Sequence, residues 1–258
     1  KGFVDVEALA GLIRPDTTLV SIMAVNNEIG SVQPIEAISE LLADKPTISF
    51  HVDAVQALAK IPTEDFLTDR VDFATFSSHK FHGVRGVGFV YIKSGKKISP
   101  LLTGGGQERD YRSTTENVAG IAATAKALRL SMEKLDFFTS KTGQMKAVIR
   151  QALLDYPDIF VFSDEKDFAP HILTFGIKGV RGEVIVHAFE DYDIFISTTS
   201  ACSSKAGKPA GTLIAMGVDK DKAQSAVRLS LDLENDMSQV EQFLTKLKLI
   251  YNQTRKVR

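Results

Sequence analysis

The sequence predicts an α/β protein, with a mostly parallel sheet in a large domain followed by a smaller α+β domain. Short apolar runs rich in β-branched residues alternate with helical segments through the first half, the pattern of a parallel sheet covered on both faces. Polar groups recur at the carboxyl ends of these runs, as Asn26-Asn27-Glu28, as Asp53 with Gln56, and as Ser77 to Lys80. That edge is where ligands bind in open α/β sheets. Beyond a long helical pattern from Val118 toward Leu153, the chain turns to short strands and amphipathic helices. The expected domains are 1–134 and 135–258.

Taken in order, Thr18 to Ala24 is a short β-branched run bounded by a polar turn with Gly30, and reads as a buried strand. Pro34 stands where a helix can begin, and Ile35, Ile38, Leu41 and Leu42 follow at helical spacing. Ile48 to Val52 is a second strand ending at Asp53, and Ala54 to Lys60 a helical turn. Val71 to Phe76 and Gly88 to Ile92 are a third and fourth strand. In the second half, strands are expected at Ile159 to Phe162, His171 to Phe175 and Ile194 to Ile196, and Ala226 to Leu231 is a further run. Helices are expected at Glu183 to Glu190 and Gln239 to Tyr251, where Val240, Phe243, Leu244, Leu247 and Tyr251 form one apolar face.

Composition excludes several classes of function. With 31 basic and 32 acidic residues there is no net field to draw nucleic acid. No apolar run approaches the ~20 residues of a membrane span, and no signal-peptide layout opens the chain, so a cytoplasmic location is expected. The single cysteine, Cys202, cannot form an internal disulfide. The opening KGFVDVEALAGL lacks an initiator Met and reads as a piece of a longer protein.

Several residues have both an ordinary and a chemical reading. Asp53 can cap the turn that follows it, or hold a cofactor's pyridine nitrogen protonated while Gln56, one helical turn on, reaches the ring hydroxyl. Lys80 can be a solvated strand-end lysine, or a nucleophilic amine that forms an imine with an aldehyde. Ser77 and His79 beside it can bind a phosphate. The order of Gly83, Gly86 and Gly88 is G-x-x-G-x-G, with a strand following, so the dinucleotide fingerprint fails and the glycines shape a turn. His51, His79 and His82 have no cysteine partner and no familiar metal-ligand spacing.

Cys202 can be a small buried hydrophobe. Its neighbourhood, Ser197 to Pro209, offers almost no apolar anchor, and Lys205 and Lys208 place positive charge nearby, which favours a reactive thiolate on an exposed arm. Arg228 alternates with apolar neighbours in AVRLS and can form a salt bridge or present a fork to a carboxylate.

Taken together and in this order, VNNEIG, HVDAVQ, FSSHK, RSTTEN, SAC and VRLSL resemble the cysteine desulfurases of the class V aminotransferase group, which have the pyridoxal phosphate fold type I. The resemblance implies that Lys80 carries pyridoxal phosphate as an imine, that Asp53 pairs with the pyridinium nitrogen and that Gln56 contacts the ring hydroxyl. Ser77 and His79 would bind the phosphate, and Thr115 would reach the phosphate of the partner subunit in a homodimer. Asn27 and Arg228 would hold the carboxylate of L-cysteine, and Cys202 would take its sulfur as a persulfide. The polar stretch around Cys202 resembles the branch serving iron–sulfur cluster assembly and tRNA thiolation, which implies a sulfur-acceptor protein as partner. Against that family an N-terminal part is missing, so this chain alone is expected to be weakly active or inactive. A class V aminotransferase or selenocysteine lyase on the same scaffold is the alternative, and a non-catalytic interaction module a more distant one.

Overall fold

The computed structural model describes residues 2–164, 166–199 and 211–256, so the Cys202 reading falls outside the described residues. Two compact units emerge. One comprises 5–24 and 34–135, and the other comprises 1–4, 25–33 and 136–258.

In the first unit β1 (Leu19–Met23), β2 (Ser49–Asp53) and β3 (Phe73–Ser77) run parallel, and β4 (Gly88–Ile92) closes the sheet antiparallel to β3, in the order β1-β2-β3-β4. The helices are α1 (Val6–Leu12), capped by Asp5, α2 (Ile35–Leu41), which follows Pro34, and α3 (Val118–Met132), capped by Asn117. The register Met23↔Asp53↔Thr75 aligns the ends of β1 and β2 and leaves β3 two residues longer, ending at Ser77. Because strand side chains alternate, Val20, Phe50, Val52, Ala74 and Phe76 point to one buried face. Ser21, His51, Asp53, Thr75 and Ser77 share the other.

The opposite end of this sheet is pinned by a buried ion cluster. Asp72, 2% exposed, accepts from the Phe50 amide at 2.9 Å and pairs with Arg70 at 2.8 Å and Lys96 at 3.2 Å. Arg70 also donates to the carbonyls of Leu42, Lys45 and Ile48, tying the chain that follows α2 to the start of β3.

The second unit holds an antiparallel sheet in the order β5-β6-β8-β7, made of β5 (Ile159–Val161), β6 (Ile172–Ile177), β8 (Ala226–Ser230) and β7 (Ser197–Thr198). Its helices are α4 (Leu135–Leu154), α5 (Gly182–Glu190), the short α6 (Gly211–Ala215) and α7 (Lys220–Gln224), and α8 (Met237–Lys256). The apolar face of α8 packs as its spacing predicts, with Val240, Phe243, Leu247, Ile250 and Tyr251 buried against β6, β8 and α5. Phe243 stacks on Phe189 at 4.9 Å.

Two expectations need correction. The helical pattern from Val118 to Leu153 is two helices: α3 stops at Met132, where the Glu133 amide bonds back to Arg129 and the Lys134 amide to Ser131. No Gly or Pro marks that stop, and hydrophobic periodicity continues through it. Ile194 to Ile196 is not a strand. The Ile194 amide bonds to the Phe189 carbonyl as α5 ends, and Ile194 and Ile196 are apolar because they pack on the helix–sheet core. Pairing begins only at Ser197.

Candidate active site

The cofactor-directed residues all lie in the first unit, on β2, β3 and the turns that leave them. Asp53 ends β2, and one of its carboxylate oxygens accepts from the Val55 amide at 3.0 Å, so the capping reading is realised. Its other oxygen has no hydrogen-bond partner among the described residues. Gln56 follows in a run of turns closed by Ala57 N and Leu58 N on the Ala54 carbonyl.

Ser77 ends β3, and the chain then enters a 3-10 turn, Ser78–Phe81, that carries His79 and Lys80. Two contacts hold that turn. Ser78, fully buried, shares a 2.9 Å hydroxyl hydrogen bond with Thr124 of α3, and Ser131 of α3 donates to the Phe81 carbonyl at 3.1 Å. Phe81 is buried beneath. His82 then takes a left-handed conformation, and the chain returns to β4 through Gly83 and Gly86. A Cβ on Gly83 would collide with the Ser78 hydroxyl and stand 2.9 Å from the Ser78 carbonyl, while Gly86 needs φ of +77°. The glycines therefore serve the turn that aims Lys80.

The side chains of Gln56, Ser77, His79 and Lys80 have no hydrogen-bond or ion-pair partner among the described residues. Next to them Ser78 is fully engaged with Thr124. A half-buried amine, a free carboxylate oxygen, an amide and a hydroxyl at two adjacent strand ends, all with capacity to spare, fit a polar ligand that carries an acidic ring nitrogen, an aldehyde and a phosphate. Thr115 stands apart, exposed just ahead of the Asn117 cap of α3.

Sequence reasoning missed one polar chain on the same sheet face. His51 Nδ1 lies 2.7 Å from the Ser21 hydroxyl and Nε2 lies 3.1 Å from the Thr75 hydroxyl, tying β1, β2 and β3 together one pleat below Asp53. Burial lowers the His51 pKa, and the nearby Asp53 charge opposes that shift. The period-2 alternation of SFHVD and FATFS could have found this chain.

The carboxylate-directed residues lie in the second unit. Arg228, central in β8, donates to the main-chain carbonyl of Asn27 at 2.7 Å. The Asn27 side chain has no hydrogen-bond partner among the described residues. Asn26 stabilises the turn beneath Asn27, its side-chain oxygen accepting from the amides of Glu28 and Ile29.

A mostly parallel sheet that delivers a lysine from its carboxyl edge in one unit, with an antiparallel sheet in the other, is the architecture of fold type I pyridoxal phosphate enzymes. The aminotransferase class-V family model matches residues 1–243. The chain belongs to this family, whose members depend on pyridoxal phosphate. Along its whole length it is 50% identical to a NifS/IcsS protein homolog of Lactobacillus delbrueckii subsp. bulgaricus, covering 67% of that protein. It is 38% identical to cysteine desulfurase IscS of Clostridium botulinum, again across 100% of this chain, and covers 65% of that relative. Among solved structures, a NifS-like protein superposes with a TM-score of 0.88 at 37% identity, over 97% of this chain and 66% of the other. A NifS-like protein from Rickettsia africae gives 0.86 at 29% identity, over 97% and 67%. The chain thus spans about two thirds of the length of the relatives it matches.

Proposed function

We propose that the protein is a pyridoxal-phosphate-dependent cysteine desulfurase, converting L-cysteine and the Cys202 thiol into L-alanine and a Cys202 persulfide. One observation carries the reading: Lys80, Ser77, Gln56 and Asp53 stand at or just beyond the ends of two adjacent strands, and all but one Asp53 oxygen of their side-chain polar groups are without partners among the described residues. The similarity to IscS and NifS proteins supports the choice of substrate.

When bound, pyridoxal phosphate supplies an electron sink that acidifies the substrate Cα–H bond. Asp53 would keep the ring nitrogen protonated, Gln56 would donate to the ring hydroxyl, and Ser77 with His79 would donate to the phosphate. The Lys80 amine takes the Cα proton as a general base and returns it as a general acid. Asn27 and Arg228 take the substrate carboxylate, Arg228 with a planar fork suited to two oxygens. The Cys202 sulfur then bonds to the substrate sulfur while the substrate C–S bond breaks, its electron pair remaining on carbon. Protonation of that carbon gives alanine, so no external oxidant or reductant is required.

In this reading the protein is a cytoplasmic homodimer in which Thr115 serves the partner subunit's phosphate site, and the persulfide passes to an iron–sulfur scaffold or a tRNA-thiolating enzyme. Among the described residues no helix is long and apolar enough to cross a membrane. Intact-mass spectrometry of the cofactor-loaded protein after addition of L-cysteine tests the proposal, with Cys202→Ala beside it. A gain of one sulfur that reductant removes and the variant lacks is the expected result. Amino-group exchange without that gain would reassign the protein to the aminotransferases. Selenocysteine lyase chemistry would show instead as selenium release that survives Cys202→Ala.

A further inference from the structure

The polar chain through His51 has no part in the proposed reaction, yet it lies directly beneath the residue assigned to the ring nitrogen. His51 precedes Asp53 by two positions on β2, so both side chains leave the same sheet face, roughly 6–7 Å apart along the strand. Both are half-buried. The main chain around them is locked, with the Ala24 amide on the Asp53 carbonyl at 2.8 Å and the Ala54 amide on the Thr75 carbonyl at 3.1 Å. The Val55 amide holds one Asp53 oxygen at 3.0 Å. Together with the hydroxyls on either side of the imidazole, these bonds fix its spacing from the carboxylate.

The partners of the ring are indifferent to its charge. The Ser21 hydroxyl lies 2.7 Å from Nδ1 and the Thr75 hydroxyl 3.1 Å from Nε2, and a hydroxyl can donate or accept. Beside a neutral imidazole one of them donates and the other accepts; beside an imidazolium both accept, and no heavy atom has to move. The charge of the ring is therefore decided by its surroundings. Burial opposes the charged form and Asp53 favours it, and burial prevails. From β1 and β3 the ring meets hydroxyls, and among the described residues Asp53 is the charge that bears on it. The other titratable side chains of this edge, His79 and Lys80, follow Ser77 in the turn beyond β3.

We infer that His51 is a positioning residue that shares Asp53 with the cofactor: a neutral His51 leaves the carboxylate to the ring nitrogen, and a protonated His51 competes for it and loosens the cofactor. The inference rests on the reading that Asp53 meets the ring nitrogen, and deepens it. A separation of 6–7 Å is inside the ~8 Å over which salt screens charges, so two cations on either side of one carboxylate weaken each other's hold. The coupling is reciprocal. Whatever protonation of His51 takes from the cofactor, the cofactor takes from the protonation of His51. Because burial keeps the ring neutral at pH 7, the loosening sets in only as pH falls below about 6.5 toward the folded-state value.

The first measurement is an NMR titration of the His51 ring in the parent, cofactor-free and loaded with pyridoxal phosphate. Loading should lower the His51 pKa, and a deaza analogue of the cofactor, with carbon in place of the ring nitrogen, should not. The second is the Kd for pyridoxal phosphate at pH 7 and pH 5. It should rise about tenfold more in the parent than in His51→Gln, since Gln keeps a donor and an acceptor but takes no charge. A His51 pKa unchanged or raised on loading, an equal drop with the deaza analogue, or equal loss of affinity in parent and His51→Gln would each overturn the inference. Asp53→Asn should bind the cofactor more weakly at pH 7 and abolish the effect of loading on His51. Parent-like affinity and cofactor absorbance in Asp53→Asn would instead overturn the placing of Asp53 at the ring nitrogen, and the inference with it.

Discussion

The guanidinium of Arg228 donates to the carbonyl of Asn27 at 2.7 Å, joining residues 201 apart in the chain. The contact orients a half-buried cation in the middle of β8. Arg228→Lys keeps the charge and loses the fork, and removing a hydrogen bond to a charged group costs about 1.5–3 kcal/mol. The KM for L-cysteine should rise roughly 10- to 100-fold with the cofactor spectrum unchanged. An unaltered KM would remove Arg228 from carboxylate binding.

Lys80 is expected to be the sole attachment point of pyridoxal phosphate. Borohydride reduction followed by peptide mapping should leave the cofactor on the peptide containing Lys80 in the parent, and on none in Lys80→Ala. Attachment at another lysine would displace the assignment.

Gly83 leaves no room for a methyl group beside Ser78, whose hydroxyl is already committed to Thr124. Gly83→Ala should force the 3-10 turn to move, at a cost of about 1–3 kcal/mol, and should weaken cofactor retention because Lys80 moves with it. A denaturation midpoint and cofactor occupancy both equal to the parent's would show that the turn yields without consequence.

Asp72 is the buried acceptor of two cations and an amide. Burial alone would raise its pKa, but the Phe50 amide, Arg70 and Lys96 outweigh it and hold the carboxyl below the usual range. A depressed folded-state pKa stabilises the fold above the unfolded value, about pH 4, and that stabilisation is lost as pH falls through the folded value. Asp72→Asn should cost about 3 kcal/mol at pH 7, since it leaves Arg70 buried without its carboxylate. Urea midpoints should converge between parent and variant below pH 4, and parallel curves would contradict this.

His51 has the opposite charge type and the same direction of shift. Its folded-state pKa is lowered by burial, so the neutral ring stabilises the fold above the unfolded value of about 6.5. The contribution is lost as pH falls below that value toward the folded one. His51→Gln should flatten the decline in thermal stability between pH 7 and pH 5. An NMR titration placing the His51 pKa above 6.5 would reverse the argument.

Much of the scaffold was legible in the chain. Strand runs with β-branched residues at 18–24, 48–53 and 88–92, the α8 face from Val240 to Tyr251, and polar groups at strand ends all follow from local periodicity, which is written in adjacent residues. The candidate cofactor residues were legible for the same reason, since HVDAVQ and FSSHK each carry their side chains within a few positions of one strand end. What spacing could not supply was the stop between α3 and α4, where helical pattern runs on while the chain passes from one unit to the other, and the nature of the run from Ile194 to Ile196, where Ile194 and Ile196 serve packing rather than pairing and Phe195 is exposed.

By itself the sequence determined which local segments become strands and helices, and which strand ends carry amine, carboxylate and hydroxyl groups. Only tertiary structure decided that 25–33 clusters with residues more than a hundred positions away, that His51 bridges Ser21 and Thr75, and that Glu28 holds Thr212. These are hydrogen bonds between residues distant in the chain, and their partners are chosen by how the packed core brings main-chain amides and carbonyls into reach.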